Sequence, residues 1–97
     1  MERIELDYPA KRKVPKRVHV GVVGSGDLEI LLEPVEGETA HVFIRTSVDG
    51  FRDTWKAVFD RFFANYDGAA RIQINDAGAT PGSVQLRLEQ AVEVSER

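Results

Sequence analysis

Ninety-seven residues, 42% hydrophobic and 30% charged, set the scale of one globular domain and argue against wholesale disorder. Thirteen basic against 16 acidic residues leave a net charge of −3, too acidic overall for a generic nucleic-acid binder. The absence of cysteine excludes disulfides, thiolate metal sites and cysteine nucleophiles, and apolar runs such as Ile30–Leu32 and Val42–Ile44 are far short of a membrane span.

The opening Met1-Glu2-Arg3-Ile4-Glu5 lacks the basic-then-apolar order of a signal peptide, so a cytoplasmic protein is expected, away from membranes. Ile4, Leu6 and Tyr8 alternate with Glu5 and Asp7 as a short strand would. Pro9 and Pro15 bracket most of a basic run, Lys11, Arg12, Lys13, Lys16 and Arg17, and predict a flexible or extended segment over residues 1–16. Arg17–Val23 reads as a strand with Val18, Val20 and Val22 on one face and His19 on the other. Gly24-Ser25-Gly26-Asp27 is turn chemistry, and Leu28–Glu33 is a second strand, so a hairpin with Ser25 at its tip is expected. Pro34–Thr39 is a polar loop and Ala40–Thr46 a third strand.

Phe51–Tyr66 has helical spacing: Phe51, Trp55, Val58, Phe59, Phe62 and Phe63 form one broad apolar stripe, with Asp49 as N-cap and Gly68 as stop. Arg71–Asn75 is a fourth strand and Asp76-Ala77-Gly78-Ala79 a turn. Thr80-Pro81 is an N-cap followed by proline at the first helical position. Ser83–Val94 carries two periods. Val84, Leu86 and Leu88 suit a strand, whereas Val84, Leu88, Ala91 and Val92 suit a helix, and the proline start favours the helix. The sum is a single α+β domain over residues 1–97: a small two-layer sandwich of about four strands, with both helices on one face. Should the strands flanking the first helix be parallel neighbours, their crossover is expected to be right-handed.

The glycine-rich segment does not fit a phosphate loop. Gly21-Val22-Val23-Gly24-Ser25-Gly26 has the wrong glycine order for a dinucleotide site, lacks a P-loop lysine, and precedes a strand rather than a helix. A nucleophile elbow also fails, because Val23 and Asp27 stand where glycines belong. What remains is a serine between two small neighbours, suited to modification by another enzyme, with Asp27 placed to orient the hydroxyl or the incoming group; the ordinary alternative is a plain hairpin turn. A serine hydrolase is a further reading, but His19 stands about 20 Å along an extended strand from Ser25, and so small a chain offers little room for a substrate cleft. His19 and His41 are too far apart in sequence for a local metal-ligand pair, and neither a metal nor a catalytic residue is expected. The basic run reads as a solvated face or a dock for an acidic surface.

Val23-Gly24-Ser25-Gly26-Asp27-Leu28-Glu29, Thr46-Ser47-Val48-Asp49-Gly50 and Asp76-Ala77-Gly78-Ala79-Thr80-Pro81-Gly82, followed by Leu86-Arg87-Leu88-Glu89-Gln90, resemble the acyl carrier subunits of malonate decarboxylase. The Ser-Gly-Asp turn also resembles that of citrate lyase carriers. The resemblance covers nearly the whole chain and implies a non-catalytic carrier. It implies a phosphoribosyl-dephospho-coenzyme A group, delivered from its triphosphoribosyl form and joined by a phosphodiester to Ser25, with Gly24, Gly26 and Asp27 as flanking recognition. The implied cargo is acetyl and malonyl thioesters. The implied partners are a malonate/acetyl transferase subunit, decarboxylase subunits and a prosthetic-group transferase. The Asp-Ser-Leu motif of ordinary phosphopantetheine carriers is missing, in keeping with an unusual group. A citrate lyase-type carrier and a small α+β binding module without a prosthetic group stand as alternatives.

Overall fold

The computed structural model describes residues 1–24 and 26–97; Ser25 lies outside the described residues. The chain runs β1 (Glu2–Pro9), β2 (Arg12–Lys13), β3 (Val18–Gly21), β4 (Leu28–Pro34), β5 (Thr39–Thr46), α1 (Arg52–Phe63), β6 (Gly68–Asp76) and α2 (Pro81–Ser95). One mixed sheet has the order β1-β5-β6-β4-β3, and the short β2 pairs with the start of β6. The α+β class with two helices matches the sequence expectation, but the sheet has six strands rather than about four. The additional strands come from the N-terminal segment. Residues 2–9 pair antiparallel with β5 from Glu2–Thr46 to Pro9–Thr39, and Arg12–Lys13 pairs parallel with Gly68–Ala69. Long-range pairing with β5 fixes β1, a partner that local alternation cannot reveal.

β6 is the central strand. It runs parallel to β5, with α1 as the crossover, and antiparallel to β4. Alternation places Ile4, Val18, Leu28, Ile30, Leu32, Val42, Ile44, Ile72 and Ile74 in the core beneath the helices. The opposite face, with His19, Glu29, His41, Phe43, Arg45, Arg71 and Gln73, carries polar and half-buried side chains.

α1 buries Trp55 and Phe59, with Val58, Phe62 and Phe63 half-buried beside them. Phe63 stacks on Tyr8 of β1 with ring centroids 4.3 Å apart. The stripe is shorter than its spacing predicts: Phe51 is the N-cap residue and is exposed, and the helix ends at Phe63, with Gly68 opening β6 instead of stopping the helix. Asp49 makes no cap. It lies 3.4 Å from the N-terminal ammonium of Met1, which β1 brings alongside.

In α2 the exposure pattern decides between the two periods. Leu86 is 56% exposed, while Val84, Leu88, Ala91 and Ser95 are buried, the i, i+4, i+7, i+11 pattern of a helix. Thr80 caps it as expected, its hydroxyl oxygen accepting from the Ser83 N–H at 3.1 Å, and Pro81 occupies the first turn. Among the described residues, no helix is long and apolar enough to cross a membrane.

Phe59 has no exposed surface and packs against Trp55, Phe62 and Phe63. Phe59→Ala is expected to cost about 3–5 kcal/mol in denaturant unfolding. Phe51→Ala, at an exposed position, should stay within about 0.5 kcal/mol of the parent. Equal losses from the two variants would mean that the helix packs by a different face.

Candidate functional site

The β3–β4 connection carries the expected modification loop, and its geometry departs from a tight hairpin. The ladder ends at the Gly21–Glu29 pair, so Val22 and Val23 leave the sheet and stand 64% and 58% exposed. The strand expected through Val23 stops at Gly21, in a backbone conformation that requires glycine. Gly21 has φ +81°, and a Cβ there would collide with the Leu28 carbonyl oxygen. The chain turns out of the sheet two residues early, and Val22, Val23, Gly24, Gly26 and Asp27 lie outside the ladder.

The far side of this loop is firmly tied. The Gly26 N–H donates to the Ala77 carbonyl at 2.7 Å, and the Ala77 N–H returns to the Asp27 carbonyl at 2.9 Å. The loop is thereby stitched to the β6–α2 turn. The Asp27 N–H donates to the Gly24 carbonyl at 2.9 Å. Gly26 has φ +75°, a conformation that glycine adopts without steric cost. At both Gly24 and Gly26, the space a Cβ would occupy has no atom of a described residue other than the chain neighbours within 4 Å.

Asp27, read from sequence as a group to orient Ser25 or its incoming partner, is engaged elsewhere. Its carboxylate accepts from Arg87 Nη2 at 2.8 Å and from the Leu28 N–H at 2.8 Å. Arg87 Nη1 donates in turn to Gln90 at 3.1 Å. The Arg87 guanidinium first, and the Leu28 N–H second, hold the Asp27 carboxyl below the usual carboxylate range. Asp27 therefore latches the loop to α2. Sequence reasoning missed Arg87 as its partner, since two side chains 60 positions apart leave no local signature.

Beside the loop, the ends of β5 and β6 and the starts of both helices enclose a cavity of about 170 Å³. Thr46, Val48, Phe51, Thr54, Trp55, Val58, Asp76, Gly78, Ala79, Pro81 and Val84 line it. At its floor, Asp76 is buried and accepts the Thr46 hydroxyl at 2.8 Å and the Gly78 and Ala79 N–H groups at 3.1 and 3.0 Å.

The histidines stand on the open face of the sheet, each against a neighbouring strand. His19 Nε2 lies 2.9 Å from a Glu29 carboxylate oxygen, and His41 Nδ1 lies 2.7 Å from Asp7. Neither is bonded to a described residue of the loop. His19 first, and Asn75 second, draw the Glu29 carboxyl downward. Among the described residues, no group of three or more His, Asp or Glu side chains is arranged to hold a metal ion. Of the basic run only Arg12 is drawn into the fold, while Lys11, Lys13, Lys16 and Arg17 are exposed, as a solvated face would be. Arg12 bridges Asp67 and Glu96 and lies over the Tyr66 ring, while Arg17 sits 4.0 Å from Glu33.

The latch has a pH signature. The Asp27 carboxyl is expected to titrate below the ordinary aspartate value of about 3.9, and Arg87→Ala should move its midpoint upward, read by carboxyl carbon shifts. A depressed native pKa contributes stability that is present at neutral pH and lost as pH falls through it. The stability gap between the parent and Arg87→Ala should therefore close in acid. An Asp27 midpoint indifferent to Arg87 would break the latch assignment.

Comparison with known proteins gives a single picture. The model of the malonate decarboxylase delta subunit family (MdcD) matches residues 15–95. The malonate decarboxylase acyl carrier protein of Azotobacter vinelandii is 46% identical over 94 residues, spanning 96% of this chain and 95% of the relative. Its counterpart in Pseudomonas aeruginosa is 48% identical with the same coverage, and that of Klebsiella pneumoniae is 45% identical. One chain in the crystal structure of a Pseudomonas malonate decarboxylase hetero-tetramer in complex with malonate superposes with a TM-score of 0.93 at 44% identity, covering 97% of this chain and 98% of that one. The loop and turn described above are thus those of a chain that belongs to the malonate decarboxylase acyl carrier protein family.

Proposed function

We propose that this chain is the acyl carrier subunit of a malonate decarboxylase, bearing phosphoribosyl-dephospho-coenzyme A on Ser25 through a phosphodiester. One observation carries the proposal beyond family membership: the loop is bound on one side and open on the other. Gly26 and Asp27 are bonded to the β6–α2 turn and to α2, while no described residue other than the chain neighbours comes within 4 Å of a Cβ built at Gly24 or Gly26. A bulky group and the transferase that attaches it need that clearance, and a held backbone spares the entropy of ordering the loop at each encounter. The described residues therefore fit the group.

When bound, the group supplies a terminal thiol for acetyl and malonyl thioesters, whose carbonyl can accept the charge that develops at the α-carbon as carbon dioxide leaves. The chain's own residues hold and present. Arg87 and Asp27 fix the loop against α2, the Ala77 peptide fixes its far end, and Gly24 and Gly26 leave approach free. No oxyanion hole is built from these groups, so stabilising the developing charge falls to partner subunits. Those partners are a malonate/acetyl transferase and decarboxylase subunits, with a prosthetic-group transferase acting earlier. Tethering contributes by raising the local concentration of the acyl group at each partner's site. The relatives compared above carry malonate decarboxylase names, which favours this reading over a citrate lyase-type carrier.

Co-expression with the host's prosthetic-group transferase should add the mass of the group, and peptide mapping should place it on Ser25. Ser25→Ala should fold by circular dichroism and take no adduct. Modification that survives Ser25→Ala would overturn the attachment site; an unmodified parent chain would favour a binding module, and labelling by a fluorophosphonate would favour a hydrolase.

Gly26→Val places a β-branched residue at positive φ, a strain of roughly 1–3 kcal/mol, and puts a side chain into the open approach. Its folded fraction should be modified more slowly than the parent. Equal rates would show that the transferase does not read this clearance.

A further inference from the structure

We propose that the cavity between the β5–α1 loop and the β6–α2 turn is a resting site for the acetyl-bearing end of the carrier's own arm, and that it rejects the malonyl form. This rests on the reading of the chain as a carrier modified at Ser25. The first ground is position. Gly78 and Ala79 form one wall of the cavity, and the preceding residue, Ala77, exchanges two backbone hydrogen bonds with Gly26 and Asp27. The loop that carries the arm and the rim of the cavity are thus one bonded unit, and a tethered group reaches the cavity at high effective concentration.

The second ground is size. About 170 Å³ is close to that of an apolar cavity that takes benzene, about 150 Å³. It therefore suits about six heavy atoms, the number in an acetyl group, its sulfur and the adjoining two methylenes, and is far too small for the nucleotide part of the arm.

The third ground is chemistry. Val48, Phe51, Trp55, Val58, Pro81 and Val84 make the walls apolar. The polar groups of the floor are committed to one another: the Thr46 hydroxyl donates to Asp76 and accepts from the Val48 N–H at 3.1 Å, and Asp76 accepts from Thr46, Gly78 and Ala79; the other side-chain donors of the lining, the Thr54 hydroxyl and the Trp55 indole N–H, are neutral. No lysine, arginine or histidine lines the cavity. A neutral acetyl thioester can enter without breaking these bonds, and the Thr54 hydroxyl and Trp55 indole N–H are the donors that could replace water at its carbonyl. A malonyl carboxylate would be desolvated beside Asp76 with no cation to compensate it. The cavity would then shelter the product-side acetyl thioester from water between cycles and leave the malonyl form free for the decarboxylating partner.

The test uses the full chain, modified and loaded with either acyl group. Acetyl loading should shift the Trp55 indole N–H and the Val48 and Val84 methyl signals relative to the unloaded thiol form, and malonyl loading should leave them in place. Thr54→Phe, at an exposed helical position on the cavity's mouth, should abolish those acetyl shifts. It should also speed hydroxylamine cleavage of the acetyl thioester by about twofold or more, the change expected where a site of millimolar affinity meets a tether of about millimolar effective concentration. The malonyl thioester should be cleaved at the same rate in both proteins.

Acetyl-induced shifts confined to the loop, or identical responses to the two acyl groups, would overturn the proposal, as would movement at Trp55 only when a partner subunit is added, which would assign the cavity to a partner's side chain. A separate arm titrates S-acetyl-N-acetylcysteamine into the unmodified chain. Saturable shifts at Trp55 in the millimolar range are expected, and no response would overturn the cavity assignment without bearing on modification of Ser25. An adduct missing from Ser25 would instead overturn the carrier reading and leave the probe titration as the judge of the cavity.

Discussion

The C-terminal end of β6 holds the working end of this molecule together. The Asp76 carboxylate collects the Thr46 hydroxyl and the Gly78 and Ala79 N–H groups, and its backbone carbonyl accepts from the Ser47 N–H at 3.1 Å. One residue on, Ala77 binds Gly26 and Asp27 from both sides of its peptide. The β3–β4, β5–α1 and β6–α2 connections therefore converge on one buried side chain and the peptide next to it. Asp76 has no cation partner and is held by donors alone, an arrangement whose cost would appear in full were any donor removed without replacement. A central strand flanked on both sides supplies the rigidity that this convergence requires.

Much of the architecture was legible because β3 to β6 each bury one face. Leu28, Ile30 and Leu32, Val42 and Ile44, and Ile72 and Ile74 alternate cleanly, and Thr80-Pro81 announces the start of α2. The failures have separate physical causes. Val22 continues the alternation of β3, yet the chain leaves the sheet at Gly21, whose positive φ and close approach to the Leu28 carbonyl only glycine tolerates, before Val22 can pair. Phe51 extends the α1 stripe by spacing, but it precedes the first helical residue and faces solvent. Asp49 looks like a cap, but β1 places the N-terminal ammonium within 3.4 Å of it. Within the site, the glycines announced a loop with clearance. The Arg87 latch and the Asp76 floor depend on contacts across 60 and 30 positions and carry no local pattern.

Within the basic run one residue, Arg12, is taken into the packing while its four basic neighbours stay exposed. Arg12 sits in a two-residue strand beside Gly68, where it reaches Asp67 in the α1–β6 connection and Glu96 at the end of α2. Hydrogen bonding to Asp67, ahead of that to Glu96, pushes its pKa further upward and keeps the guanidinium charged. Arg12 thereby fastens the chain end to the sheet. This lies about 30 Å along β6 from Ala77, so the charge of Arg12 is held away from the β3–β4 loop.

The two ends of β6 consequently carry different demands. At Gly68 the contacts close the fold: Arg12 joins three segments, and Tyr66 packs beneath it. At Asp76 the contacts hold a loop and a cavity in place while leaving apolar surface in solvent. The exposed large hydrophobic side chains among the described residues, Met1, Val22, Val23, Val48, Phe51 and Leu86, all lie at or near this end. Folding alone would favour burying them. Under the proposed function the loop is presented to several enzymes in turn, and each encounter needs a surface that can be desolvated and then released. The Asp76 network and the Arg87 latch hold the loop at the same end as these apolar groups, while Arg12 closes the fold at the other, so docking at the Asp76 end would leave the closing contacts at Gly68 undisturbed.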